Sequence, residues 1–423
     1  MSTIDHGVTR VAGDTVIEGV RKTSRWDVAL AALPRIAAAA SIAFLMLIAI
    51  RGGFFNFDNK PHLAALISFA FFLHCWTRPR AIEALAAVLI AAAVRLLYGV
   101  PHPENGAFFA IFTYGAFLGL GSLAVLAVQV TRSTGEKRER RRGALTAGLL
   151  APVAFVLVGF PLRLTIMLHP KTYDYFLYNF DASLGFQPSF LIGRAFEAIP
   201  PLRFACGVAY DLILLVIACF YIGQIVGKKR FQVDVIKVFL GTLFFGTMLY
   251  HICPAAGPVY AFGKAFPHGE PPAAQVSIET VGIPQGPRNA MPSLHFACAL
   301  LVWWNSRSWR FWARALAALF LVLTVLATMG LGEHYFIDLV VALPFTVAMT
   351  AASTTSVPMI SIERRVALFG GGALTLVWLV LLRSGVNWIQ VFPAFSWSMV
   401  VATLVVSLAL EHRLAHVAEF SFD

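Results

Sequence analysis

The sequence predicts an all-α integral membrane protein with about twelve transmembrane helices, on three observations. Hydrophobic residues make up 58% of the 423-residue chain and charged residues only 13%, where soluble domains carry roughly 25% charged residues. The mean hydropathy is +0.74. Apolar runs of the length that crosses a bilayer, roughly 17–25 residues, recur along the chain with basic clusters between them. Helices packed in lipid satisfy their own backbone groups and bury one another, so no soluble core is required.

In order, the chain begins with a polar cytoplasmic tail at 1–26, which has no hydrophobic run and is expected to be disordered. Spans are expected at about 28–50, 61–77, 81–99 and 107–130, forming an N-terminal four-helix region over 27–131. A basic cytoplasmic loop, 132–143, separates it from spans at about 144–168, 203–227, 236–253, 292–305, 313–331 and 335–354. A C-terminal region, 355–423, adds spans at about 366–384 and 393–411 and a short tail. The runs 61–77 and 292–305 are the shortest for a crossing.

Loop charge sets the orientation. Arg78 and Arg80, then Lys137, Arg138, Arg140 and Arg141, then Lys228, Lys229 and Arg230 all fall on one side if the spans alternate. Arg307, Arg310, Arg314, Arg364 and Arg365 fall on that side too. Cytoplasmic loops carry such an excess, so both termini are expected to be cytoplasmic, in a plasma or bacterial inner membrane. The net charge of +11 is thereby read as topology rather than as a nucleic-acid surface. Cys75, Cys206, Cys219, Cys253 and Cys298 sit in or beside apolar runs with neither disulfide nor zinc spacing, and read as packing residues. On the opposite side lie the loops 169–203, the Pro/Gly-rich 254–291, and the turn Gly330–Glu333. Long Pro/Gly loops without charge runs tend to carry function.

Chemistry concentrates in two of these places. In Gly286-Pro-Arg-Asn-Ala-Met-Pro-Ser-Leu-His295, Pro292 suits the first position of a helix, whose free amides form an anion site. Ser293 adds a hydroxyl, His295 an imidazole in the first turn, and Arg288 a guanidinium whose fork matches phosphate. In Gly332-Glu-His334-Tyr-Phe-Ile-Asp338, the i, i+4 spacing predicts His334 and Asp338 on one helix face. The Asp would then fix the imidazole tautomer and leave the other nitrogen free as nucleophile or general base. Asp338 at membrane depth also demands a partner. The topology places both histidines at the extracytoplasmic surface. His74 and His251, in apolar spans, read as structural, and the basic run 132–142 as a solvated loop. A transporter would also suit twelve spans, but transporters show repeat symmetry and helices broken near the midplane. Neither is evident in this sequence.

Pro-Ser-Leu-His295 resembles the second motif of the type 2 phosphatidic acid phosphatase (PAP2) superfamily, and His334-x-x-x-Asp338 is similar to the end of the third. The Leu where most members have Gly, and the Gly-Glu-His-Tyr context, look more like the branch with inositol phosphorylceramide synthases of the aureobasidin-resistance type. Tyr173-Asp174 through Asp181 and Gly185, and Pro254-Ala-Ala-Gly257-Pro258 after Tyr250, also fit that branch. The resemblance spans about 144–354 and implies a six-helix catalytic core there. It implies a lipid phosphotransferase or phosphatase with no metal or other cofactor. Its partners would be a lipid phosphate donor and a lipid or water acceptor. His334 would attack phosphorus and form a phosphohistidine, Asp338 would orient it, and His295 would serve the leaving and accepting oxygens. A lipid transporter or scaffold on a degenerate version of the fold is the non-catalytic alternative.

The chain departs from the family pattern in two places. The first motif, a Lys followed by Arg-Pro, is not visible. The Ser-Arg before the third motif is here Ala327-Thr328. Another cation would have to replace that arginine: Arg288 first, then Arg163 near the outer end of its span, then Lys171 or Arg194. Tyr173, Asp174 and Asp181 are candidates to bind the headgroup, or to cap a short interfacial helix.

Overall fold

The computed structural model describes residues 61–98, 107–226, 233–284, 286–385 and 393–420. All of these lie in one compact unit, 55–423. The predicted tail 1–26 and the predicted span 28–50 fall outside the described residues.

The architecture is helical. The N-terminal helices are α1 (Pro61–Trp76), α2 (Ala81–Tyr98), α3 (Ala107–Arg132) and α4 (Gly135–Leu168). A two-residue strand β1 (Lys171–Thr172) leads into α5 (Asp174–Ser183), α6 (Pro188–Ala198), α7 (Pro200–Asp211), α8 (Ile213–Val226) and α9 (Val235–Leu249). The Pro/Gly-rich segment holds the one-turn α10 (Pro258–Ala261) and β2 (Val281–Gly282), which pairs antiparallel with β1. Then come α11 (Leu294–Asn305), α12 (Phe311–Gly330), α13 (Phe336–Ser353), α14 (Ile362–Ser384) and α15 (Pro393–Phe420).

Six helices among the described residues are long and apolar enough to cross a membrane, or seven if the bent pair α7–α8 counts as one span. The sequence predicts more because it counts shorter apolar runs. The apolar part of α1, together with α9 and α11, is one of those shorter helices. The predicted span 203–227 is broken: α7 and α8 meet at Leu212 with a bend of 57°. The basic stretch expected as a loop is also different, because α4 runs unbroken from Gly135 and carries Lys137 to Arg142 in its first turns. At about 1.5 Å per residue its 34 residues reach ~51 Å, well beyond a ~30 Å hydrocarbon layer. The basic turns therefore extend past the apolar stretch. Arg140 stacks over the Trp76 ring and Arg141 pairs with Glu83 at 3.5 Å, which fastens α4 to the ends of α1 and α2.

Helix α13 is the structural axis of the C-terminal half. Seventy-eight percent of its span is buried inside the protein, against 22% for α15. It packs against α14, α11, α15 and α9. Such a helix is apolar all round, and Val340, Val341, Leu343, Phe345 and Val347 face protein on every side. The outer helices keep lipid-facing stripes instead. On α12, Phe311, Trp312, Leu316, Leu319 and Val322 are exposed, an apolar surface too continuous for water. At the other end of the bundle, the Arg307 guanidinium meets the buried Glu411 carboxylate in two 2.7 Å bonds and ties the α11–α12 turn to α15. Two-bond pairs of this kind fix geometry as well as adding energy. Cys206, Cys253 and Cys298 are buried packing residues, and all five cysteines are free thiols.

Candidate active site

His334 lies in the turn between α12 and α13, with Tyr335 as the cap of α13 and Asp338 at its third position. The two residues therefore do not share a helix face, as their spacing suggests. They meet through the cap. The Asp338 carboxylate turns back to accept the Tyr335 amide at 2.8 Å, and this places its Oδ2 3.4 Å from His334 Nδ1. The nearer partner of that nitrogen is the Ala290 carbonyl oxygen, at 2.8 Å. A carbonyl only accepts, so Nδ1 carries the proton and Nε2 the lone pair. His334 is fully buried, and its Nε2 has no hydrogen-bond partner; nor do Asp338 Oδ1 and Asn289 Oδ1. Buried polar atoms are normally paired, and orphans gathered in two neighbouring segments mark a place built for something polar. Burial holds the imidazole down at about 4, while the Glu333 carboxylate and the Ala290 carbonyl pull the other way.

The backbone of the turn is equally constrained. The His334 amide donates to the Thr328 carbonyl at 3.0 Å, and its carbonyl accepts from the Ser189 hydroxyl at 2.7 Å. Thr328 stands where the resembling family has arginine. Here that position is fully buried, and its own hydroxyl turns back to the Val325 carbonyl at 2.9 Å. The Pro/Gly loop closes over the turn, with the Val259 amide donating to Gly332 O at 2.9 Å. The approach is close enough to require glycine at 257: its φ is +102° and an added Cβ would lie 2.4 Å from the Glu333 carbonyl oxygen.

Helix α11 supplies the second half. Ser293 takes the cap position, its Oγ accepting the Phe296 amide at 3.4 Å. Pro292 therefore sits one residue outside the helix, not at its first position. The Ser293 amide donates to the Asp338 carbonyl at 3.2 Å, so the two motif segments are bonded to one another in both directions. The amides of Leu294 and His295, in the first turn of α11, have no acceptor among the described residues. A helix N-terminus in that state favours an anion. His295 stacks on Tyr210, rings 3.7 Å apart and 14° from parallel. It also lines a cavity of about 330 Å³ together with Tyr210, Asp211, Tyr250 and Asn289 and with Ala154, Val158 and Leu162 of α4. His295 and His334 are within electrostatic reach of each other.

The remaining sequence candidates are placed differently. Arg288 is 1% exposed, and its guanidinium donates to four carbonyls: His169 at 3.0 Å, Gly286 at 2.7 Å, Ile283 at 2.6 Å and Pro170 at 3.5 Å. That is a staple for the loop, not a hand held out to phosphate. Asp174 is buried and accepts from the Ala256 and Gly257 amides and from the Tyr335 hydroxyl, at 2.7–3.2 Å. Asp181, also buried, accepts the Phe336 amide at 2.7 Å and the Ile337 amide at 3.1 Å. Neither carboxylate is turned to a headgroup. Asp181 does cap a helix, but the helix is α13, 155 residues away in sequence.

Tyr173 donates its amide to Pro254 O at 2.8 Å and lies under Arg383, 5.7 Å from ring centroid to guanidinium carbon. Arg163 is on the exposed side of α4. Arg194 pairs with Glu270 at 3.1 Å, and Lys171 is exposed on β1. Sequence reasoning did not single out Tyr210, and it met Tyr250, Asn289 and Glu333 only as parts of the quoted segments, without a role.

No curated protein and no solved structure matches this chain. Residues 175–352, less than half of the chain but containing both histidine segments, match the family model of the PAP2 superfamily, which generally comprises phosphatases and phosphotransferases.

Proposed function

We propose that the protein is a metal-independent lipid phosphotransferase that moves a polar phosphoryl headgroup between lipids at the extracytoplasmic face, through a phosphohistidine on His334. The observation that carries the reading is the buried imidazole whose Nδ1–H is held by the Ala290 carbonyl and whose Nε2 lone pair has no partner. A neutral, oriented, desolvated imidazole is what nucleophilic attack on phosphorus needs. In the first half-reaction Nε2 bonds to phosphorus, the bond from phosphorus to the diacylglycerol oxygen breaks, and that oxygen leaves with a proton relayed from solvent through the His295 imidazole. In the second, the acceptor hydroxyl returns a proton to His295, its oxygen bonds to phosphorus, and the P–N bond breaks. The amides of Leu294 and His295 would receive the phosphoryl oxygens. Acid–base help of this kind contributes about 10²–10⁴-fold.

Transfer is preferred over hydrolysis because the cavity beside His295 continues into the apolar wall formed by α4, a surface suited to a lipid alcohol. This fits the inositol phosphorylceramide synthase-like branch; hydrolysis of phosphatidate or isoprenyl phosphates is the second reading. In the same reading the chain crosses the membrane about twelve times with both termini cytoplasmic.

A matched assay tests the proposal. Wild type and His334→Ala are given labelled phosphatidylinositol and phosphatidate in mixed micelles, with and without ceramide or diacylglycerol. Label entering a new lipid with the wild type alone supports transfer. Label entering only free phosphate supports the phosphatase reading, and equal turnover by the variant removes the nucleophile.

A further inference from the structure

His169, the C-terminal cap of α4, holds both ends of the Pro/Gly-rich segment 254–291. Its side chain takes the entry: His169 Nε2 lies 3.1 Å from Nδ1 of His251, which stands two residues beyond α9. Its backbone takes the exit: the carbonyl oxygen accepts Arg288 Nε at 3.0 Å. The two rings are partly buried and tilted, their centroids 5.3 Å apart. From Arg288 the chain reaches the site in two residues, where the Ala290 carbonyl oxygen holds His334 Nδ1 at 2.8 Å. The carbonyl that fixes the tautomer of His334 thus hangs from a staple whose far end is a histidine pair. That pair has no part in the phosphoryl chemistry.

Two imidazole nitrogens at hydrogen-bond distance have room for one proton between them. The bond persists when neither ring is charged and when one is. A second proton puts an N–H on each facing nitrogen, and donor then meets donor between two like charges. The surrounding groups add to that repulsion. Those acting on His169 are His251, Arg383 of α14 and Arg288 of the loop, all basic; burial, then these three, hold it below its ordinary 6.5. Arg383 is fixed there by its bond to the Ile252 carbonyl at 3.0 Å, and Lys171 lies two residues on, exposed on β1. The carboxylate nearby, Asp174, acts on Arg288 and already accepts the Ala256 and Gly257 amides.

We propose that the His169–His251 pair is a proton-operated latch: closed near neutral pH, it seats the 254–291 segment and with it the Ala290 carbonyl; opened by the second proton, it releases both and lowers turnover. The effect on turnover rests on the phosphotransferase reading above, and the release of the segment does not. Histidines freed from the pair protonate near 6.5 and paired ones lower, so acid favours the open form. The latch is therefore complete above about 6.5 and weakens as pH falls below it. That acid limb lies above the one set by His334 at about 4. The pH it senses is that of the compartment the site faces.

The test measures hydrogen exchange over 250–260 and 286–291, together with kcat/KM, in the full-length protein in detergent at pH 7.5 and pH 5.0. Wild type, His251→Gln and His169→Gln are compared. A glutamine takes no charge, and its amide accepts from a protonated imidazole or donates to a neutral one, so either variant keeps the bond at both pH values. In the wild type, exchange over these segments at pH 5.0 should be at least fivefold faster, after correction for the intrinsic pH dependence of exchange, and kcat/KM at least fivefold lower. In the variants both changes should stay below twofold, with kcat/KM at pH 7.5 within twofold of wild type. Wild-type exchange that does not quicken in acid, or that quickens equally in both variants, overturns the latch. Exchange that quickens in the wild type alone, with turnover unchanged, keeps the latch and overturns its hold on the site. Absence of turnover at both pH values overturns the phosphotransferase reading, and the exchange result then decides the latch by itself.

Discussion

His334 Nδ1 lies 2.8 Å from the carbonyl oxygen of Ala290 and 3.4 Å from Asp338 Oδ2. The carboxylate that spacing names as the orienting partner is therefore the second contact, while a backbone atom of the other motif is the first. Because the Ala290 carbonyl cannot rotate away without disturbing its own segment, the tautomer of His334 is a property of the fold.

Asp338→Asn is expected to be milder than its position suggests. An asparagine oxygen can still accept the Tyr335 amide, and Ala290 still holds the imidazole. We expect a fall in kcat of about tenfold, against 10³-fold or more for His334→Ala, where the nucleophile itself is gone. Steady-state kinetics of the two variants side by side checks this. Equal losses would make Asp338 the dominant orienting group.

Asp181→Ala leaves the Phe336 and Ile337 amides at the start of α13 without acceptors. Buried orphans of this kind cost about 1–3 kcal/mol each, so the variant should unfold at clearly lower temperature in detergent. Asp181→Asn, which keeps one acceptor oxygen, should fall between. A Tm unchanged in both variants, with a raised KM, would restore the headgroup role.

Arg288→Lys separates a staple from a phosphate ligand. One ammonium cannot reach four carbonyls in a plane, so the 254–291 segment should become more sensitive to protease and Tm should drop. A phosphate ligand would behave otherwise, with a raised KM and an unchanged Tm.

Protonation of His334 is expected well below the usual histidine range. Burial lowers the group from 6.5 to about 4, so the neutral, nucleophilic form persists as pH falls through 6.5 and is lost only near 4. A histidine NMR titration in detergent, with the resonance assigned by its absence in His334→Ala, measures this. A midpoint near 6.5 would show that the imidazole is more open to water than its burial implies.

The general architecture was legible because lipid imposes a simple code of apolar runs separated by basic clusters. The same code brings His295 and His334 to one surface before any motif is considered, and the structure joins their segments through Ala290–His334 and Ser293–Asp338. The roles of Asp174, Asp181 and Arg288 were not legible, because each depends on backbone groups 82–155 residues away or on carbonyls up to 119 residues away. Sequence identifies a charged residue in such a loop but not which way it faces. Spacing likewise misled on His334 and Asp338: i, i+4 describes a helix face only if both residues are helical, and here the cap falls between them. The break at Leu212 was hidden inside an unbroken apolar run, and Tyr210 gained its place beside His295 there.

The central claim is a phosphoryl group carried on His334. The most direct measurement is a rapid quench of wild type and His334→Ala with phosphorus-labelled donor lipid and no acceptor, followed by peptide mapping of the protein-bound label. Acid-labile, alkali-stable label on the His334 peptide of the wild type, and none on the variant, is the expected result. Turnover of the same donor with no label on His334, or label on His295 instead, would contradict the account.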